Sequence, residues 1–395
     1  MSMSIPVGKA PAPSQFEKIP SEEAAQIENI VNLTVEQLKN RYPGEKPVLR
    51  GVHTKDHGCV HATFEVLGTL PKELQVGVFS KPGHVYQAWV RFSNASVLVA
   101  PDSPLSPPAP GGSPARKHGS RGMAIKLMGV SGTPLVETFG PLTQDFLMIN
   151  QPVFAFSNVE DYEVLSRVLK EDNDNPTRFF IERIHIKDGK PDFADPATMR
   201  TLNTKAISGR IQSLHVSTDP AVPGAYQEPP ASPVDNRYFS AAPYLFGVDQ
   251  VMKYSAAPRK PAAGVAPDVD DDNYLRKALI ERLTACDAED IVFDFKVQIR
   301  TIDELRAKLE TEIEDATIAW DETAFPFVTV ATLTISPQNF DTEERKHQCE
   351  SLAFTPWHGV AEHQPVGGIN RLKLGVYRAS SAFRRIPKEP AGFGG

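Results

Sequence analysis

Proline does most to limit what this chain can become. Its 35 prolines and 26 glycines in 395 residues cluster, above all in "APDSPLSPPAPGGSPARKHGSRG" (Ala100 to Gly122), "STDPAVPGAYQEPPASPVDNR" (Ser217 to Arg237) and "AAPRKPAAGVAPDVDDDN" (Ala256 to Asn273). Proline has no amide hydrogen to give a ladder and holds φ fixed, so these stretches read as loops. Between them run short segments rich in β-branched and aromatic residues: "VHATFEVL", "YQAWVRFSNASVLV", "GMAIKLMGV", "YLFGVDQVMKYSAA", "IVFDFKVQIR" and "FVTVATLTI". Partial alternation marks them as strands, and their number and spacing point to an antiparallel barrel or sandwich rather than a βαβ fold. A strand is expected from about Cys59 to Leu67. Helical patterns occur at "SEEAAQIENIVNLTVEQLKNRY", where Ser21 and Glu23 or Gln26 would serve the first turn, at "NVEDYEVLSRVLKED" and at "GGINRLKLGVYRASSAFRRI".

Composition excludes several classes of function. The net charge of -7 is spread along the chain, which gives no surface for nucleic acid. The opening "MSMSIPVGKAPAPSQ" lacks a charged region followed by an apolar one, and no run approaches the roughly 18 apolar residues of a membrane span. The expectation is a cytoplasmic protein with no integral membrane segment. Cys59, Cys286 and Cys349 lie far apart without a Cys-x-x-Cys, so neither a disulfide framework nor a thiolate zinc site is indicated.

The stretch "VLRGVHTKDHGCVHATFEV" spaces His53, His57 and His61 four residues apart, which on a helix would form a metal-binding face. Gly58, Val60, Thr63 and Val66 are indifferent or poor helix formers, and a strand accounts for them better. One working histidine with two bystanders is the better reading, and Cys59 receives no role.

Arg50-Gly-Val-His53 followed by "GCVHATFEV" resembles the distal Arg-x-x-His segment of haem catalases. Further pieces follow in family order: "WVRFSN", "RGMAIKLMGV", "DFLMINQPVFAF", "YLFGVDQVMKYSAAP", "DFKVQIR" and "PVGGINRLKLGVYRASSAFRR", the last similar to the proximal tyrosine helix. The resemblance covers roughly residues 45 to 385 and rests on order and combination. "IEDATIAWDE" and "FTPWHGVAEHQPVGGIN" resemble the short catalase-related haem proteins, which include mini-catalase peroxidases and the allene oxide synthase branch. The resemblance implies an α+β, β-rich fold: a catalase-like eight-stranded antiparallel β-barrel with surrounding helices, and haem between the barrel and the C-terminal helix. Residues 1 to 45 would form an arm and helix, and 46 to 395 the haem-binding domain.

The same resemblance assigns roles. Tyr377 would be the iron ligand of haem b. A phenol ionises at about pH 10, so iron and a nearby cation must favour the tyrosinate. Lys373, Tyr377, Ser380 and Arg384 fall on one helical stripe. The family usually has arginine where Lys373 stands, and lysine lacks the planar fork. His53 would be the acid/base, Ser93 its orienting partner and Asn150 the group that aligns peroxide. Arg50 and Arg91 would pair with haem propionates, and Tyr162 lies near the aromatic that packs on the haem. Val52 matches catalases, whereas the allene oxide synthases carry threonine there.

The function implied is a haem-dependent hydroperoxidase cleaving organic, including fatty-acid, hydroperoxides with a small-molecule electron donor. The short stretch after Tyr377, which leaves no room for the helical domain of larger catalases, motivates that preference. The alternatives are catalase activity on hydrogen peroxide and a non-catalytic haem- or lipid-binding barrel. A homodimer is compatible with this reading.

Overall fold

The computed structural model describes residues 11–44, 48–96, 99–106, 115–116, 119–136, 141–172, 175–212, 230–261 and 268–384. Most of the proline-rich loop between Ser217 and Arg237 lies outside these residues, as do parts of the other two.

Eight strands make the barrel: β1 (Asp56–Val66), β2 (Val85–Asn94), β3 (Arg121–Leu127), β4 (Gln144–Ile149), β5 (Tyr238–Phe239), β6 (Gln250–Pro258), β7 (Ile291–Thr301) and β8 (Val328–Ile335). Each pairs antiparallel with its neighbours in sequence, and β8 closes on β1. The result is a closed up-and-down barrel, its narrowest seam the single pair Ile149–Phe239 between β4 and β5.

Alternation explains which residues fill it. On β2, Tyr86, Ala88, Val90 and Phe92 enter the core, so Gln87, Trp89, Arg91 and Ser93 face outward. On β3, Met123, Ile125 and Leu127 face in while Gly122, Ala124 and Lys126 face out; on β4, Phe146 and Met148 face in. The interior is packed with rings: Phe146 and Phe295 have centroids 4.7 Å apart, and Phe64 and Phe295 5.1 Å. An eight-stranded barrel filled this way has its ligand surface on the outside. Phe146→Ala should lower stability by about 3–5 kcal/mol in chemical denaturation, because the surrounding rings cannot close the gap.

Helices lie around this barrel. They include α1 (Glu23–Arg41), α2 (Val159–Glu171), α3 (Thr177–Arg183), α4 (Pro196–Gln212), α5 (Tyr274–Thr284), α6 (Glu343–Ser351) and α7 (Gly368–Phe383). α1 packs against α2 and α7. Arg371, in the first turn of α7, joins Glu17, Glu23 and Glu314 at 2.5, 2.5 and 2.8 Å and so ties the N-terminal segment to that helix. Gly367 permits the turn into α7: its φ is 88°, and a Cβ would stand 2.6 Å from the Ile313 carbonyl oxygen.

Three boundaries differ from the sequence reading. β1 begins at Asp56 rather than Cys59, with a register shift between Asp56 and Gly58 that places His57 in a bulge. β2 stops at Asn94, short of the "ASVLV" run expected to continue it. α1 starts at Glu23 without a side-chain cap, since the Ser21 hydroxyl donates to the Glu22 carboxylate instead of serving the first turn.

Candidate active site

The outward residues Arg91, Ser93, Ala124, Leu147 and Ile149 form one wall of a cavity of about 950 Å³, counted with its open mouth. α7 forms the facing wall with Lys373, Val376, Tyr377, Ser380 and Ser381, and Arg384 follows just beyond the helix. The segment Arg50 to His53, entering β1, closes a third side. One cavity therefore gathers Arg50, Val52, His53, Arg91, Ser93, Lys373, Tyr377 and Arg384, which together span more than 300 positions of the chain.

His53 has φ of 54°, a left-handed conformation unusual for a non-glycine residue, and the Nδ1 edge of its ring lies against β2 and β3. Nδ1 lies 3.0 Å from Ser93 Oγ. Beside Ser93 is Gly122, where a Cβ would fall on the imidazole and 2.9 Å from Ser93 Oγ. Glycine is thus required for the close approach, which is why it interrupts a strand. Burial, reinforced by Arg91, Lys373 and Arg50, pulls the His53 pKa down to about 3, so the ring is neutral at ordinary pH. A proton on Nδ1, donated to Ser93 Oγ, would leave Nε2 a lone pair for accepting another.

Among the described residues, the lining carries four cationic side chains, Arg50, Arg91, Lys373 and Arg384, and no carboxylate. Arg50 donates to the carbonyls of Cys349 and Leu352 at 2.9 and 2.7 Å and pairs with Glu350 at 2.7 Å. Glu350 also meets Arg384, at 3.3 Å. Arg91 is buried; among the described residues its Nε has no hydrogen-bond partner, and its Nη2 donates to the Thr54 carbonyl at a long 3.5 Å. Lys373 donates to Asn370 Oδ1 at 3.3 Å and lies 5.5 Å above the Phe154 ring; burial brings its pKa down to about 8. Burial pushes the Tyr377 phenol above its ordinary range, with Tyr162 and Tyr244 adding to the effect. Ionising it there takes a strongly charged partner.

Two assigned residues stand outside the lining. Asn150 Oδ1 accepts from the Arg121 amide at 2.7 Å and from Gln151 Nε2 at 2.9 Å, and its Nδ2 donates to Asn236 at 3.3 Å. Tyr162 is on α2 behind Phe154, with ring centroids 6.3 Å apart, and Phe154 itself faces the cavity. His57, His61 and Cys59 also lie elsewhere: His57 is wholly buried, His61 packs edge-on against Trp89 at 4.3 Å, and Cys59 sits in an apolar cluster with Cys349. Sequence reasoning missed Gly122, Glu350, Phe354 and Thr34. An interior glycine in a strand pattern was the available signal for the first; the others carried none.

The closed barrel with its flanking helices has precedent among solved structures. The chain is similar to a fungal catalase (TM-score 0.58, 18% identity, covering 88% of this chain and 61% of that one) and to a bacterial catalase (0.56, 16%, 98% and 64%). It is also similar to catalase A from Saccharomyces cerevisiae (0.57, 16%, 96% and 67%). The protein has the catalase fold, in a chain matching roughly three-fifths to two-thirds of those catalases' length. No family model matches the sequence, and no curated protein matches it. Among the described residues, no helix is long and apolar enough to cross a membrane.

Proposed function

We propose that the protein is a haem-dependent hydroperoxidase acting on organic hydroperoxides, with a small-molecule reductant completing its cycle. The observation that carries this reading is the single cavity joining the His53–Ser93 pair to Tyr377 under a lining with four cations and, among the described residues, no carboxylate.

The residues suit haem b. An apolar macrocycle bearing two carboxylates needs a mixed lining, and Val52, Ala124, Leu147, Ile149, Phe154 and Val376 supply the apolar part. Arg91, whose Nε is buried without a partner among the described residues, and Arg50 and Arg384, which share one glutamate, supply charge for the propionates. Tyr377 would hold the iron as tyrosinate. Bound there, haem supplies the redox chemistry that divides the O–O bond.

The chain's own part is proton transfer and orientation. Neutral His53 takes the proton from the hydroperoxide oxygen that carries it and delivers it to the departing oxygen as the bond breaks. Ser93 keeps the imidazole in the tautomer that does this, and Gly122 lets the ring lie against β3. The working form of His53 is the unprotonated one, and its pKa is held to about 3, so turnover should stay level as pH falls from 7.5 to 5. A drop centred near the ordinary histidine value of about 6.5 would contradict that environment.

Val52 supports a second reading, plain catalase activity, because it brings no hydroxyl beside His53 to restrain reaction with hydrogen peroxide. The apolar lining supports the organic substrate. Comparing kcat/KM for cumene hydroperoxide and a fatty-acid hydroperoxide, with a reductant, against oxygen evolution from hydrogen peroxide separates them. Faster organic turnover is expected; dominant oxygen evolution would make the protein a catalase.

A further inference from the structure

Next to the cavity, and outside its lining, lies a buried polar cluster centred on Asp102, which is fully buried and belongs to the first turn of the proline-rich loop after β2. Its Oδ1 is 2.7 Å from Lys55 Nζ and accepts from Asn94 Nδ2 at 3.0 Å; its Oδ2 accepts from the Leu275 amide at 3.1 Å. Its own carbonyl accepts from Arg121, whose guanidinium also donates to Asn94 Oδ1. His57 Nε2 lies 3.0 Å from that same Asn94 oxygen. Lys55 Nζ donates in addition to the carbonyls of Ala100, at 3.0 Å, and Asp272.

The partners' places in the chain give the cluster its meaning. Lys55 comes two residues after His53, Asn94 directly follows Ser93, and Arg121 directly precedes Gly122. Those neighbours are the ring itself, the group bonded to Nδ1 and the glycine against which the imidazole lies. Ser93 and Gly122 are paired across β2 and β3, and the Asn94 amide donates to the Lys55 carbonyl at 3.0 Å, so the three segments are also knitted through their backbones. His53, held at positive φ, has no helix or ladder of its own to fix it.

We propose that Asp102 is a positioning residue for His53: one buried carboxylate, through Lys55 and through Asn94, to which Arg121 is bonded in turn, sets the mutual placement of the imidazole, Ser93 and Gly122. Its consequence for turnover rests on the proposed function, whereas its consequence for the imidazole does not.

Two variants test it, Asp102→Asn and the double variant Lys55→Met with Asp102→Asn. The first keeps shape and leaves the Lys55 ammonium unpaired; the second removes the unpaired charge and secures folding. His53 is followed in full-length, haem-free protein by nitrogen NMR of 15N-histidine-labelled samples, with its signals assigned through His53→Gln. Wild type should show one tautomer, protonated at Nδ1. Both variants should show mixed tautomers and, with haem and hydroperoxide, a kcat lower by about tenfold or more at a KM changed less than threefold. Thermal stability should fall in the single variant and recover in the double one while the mixed tautomers remain, because neutrality is restored and the tether is not.

Recovery of the single tautomer and of kcat together with stability in the double variant would mean that Asp102 only holds the fold, and the proposal fails. A wild type that binds no haem and turns over no hydroperoxide would overturn the function alone, since the NMR comparison still decides the positioning role.

Discussion

His53→Ala should reduce hydroperoxide turnover by about 10²–10⁴-fold while leaving haem uptake unchanged, because the substitution removes the group that moves the proton and nothing that holds the cofactor. The separation follows from the geometry: His53 stands on the barrel side with Ser93 and Gly122, and Tyr377 is on α7 across the cavity. Stopped-flow turnover beside an absorption spectrum of each variant reads both properties. Unchanged turnover in His53→Ala would mean that His53 moves no proton in the reaction and that any turnover belongs to the bound haem alone, leaving a haem- or lipid-binding barrel that adds no catalysis of its own.

Tyr377→Ala should have the complementary effect. Loss of the ligand itself should weaken haem retention by more than the roughly 10–100-fold typical of disturbing a ligand's supporting partners, measured as the rate of haem transfer to an excess of apomyoglobin. The phenol is pushed upward by burial, so Tyr377 has no reason to be ionised without a metal, and the lining cations alone do not reverse that. Tyr377→Phe should behave like the alanine variant. Near-wild-type retention in the phenylalanine variant would show that the ring packs on the cofactor and does not bind its iron.

Much of this was legible because a strand's period of two sorts residues without knowledge of their partners. The run "YQAWVRFSN" predicts its own inside and outside, so Arg91 and Ser93 fall together on the outer wall once Phe92 is assigned to the core. The stripe of Lys373, Tyr377, Ser380 and Arg384 follows in the same way from a period of 3.6, and all four line the cavity. Where the pattern broke, so did legibility. The bulge at His57 shifts the register by one residue, and a shift of that size reverses the face of what precedes it. α4 escaped notice because its buried face includes Thr198, Thr201 and Thr204, which give no apolar periodicity to find. The packing of Gly122 against His53 and the sharing of Glu350 by two arginines depend on contacts between distant segments, which no local pattern encodes.

Haemin titration of the purified protein, followed by absorption, tests the central claim most directly. The account predicts saturation at one haem per chain, with a Soret band and high-spin ferric features that Tyr377→Ala abolishes. A protein that stays colourless, or whose spectrum with haemin is the same with and without Tyr377, would contradict it.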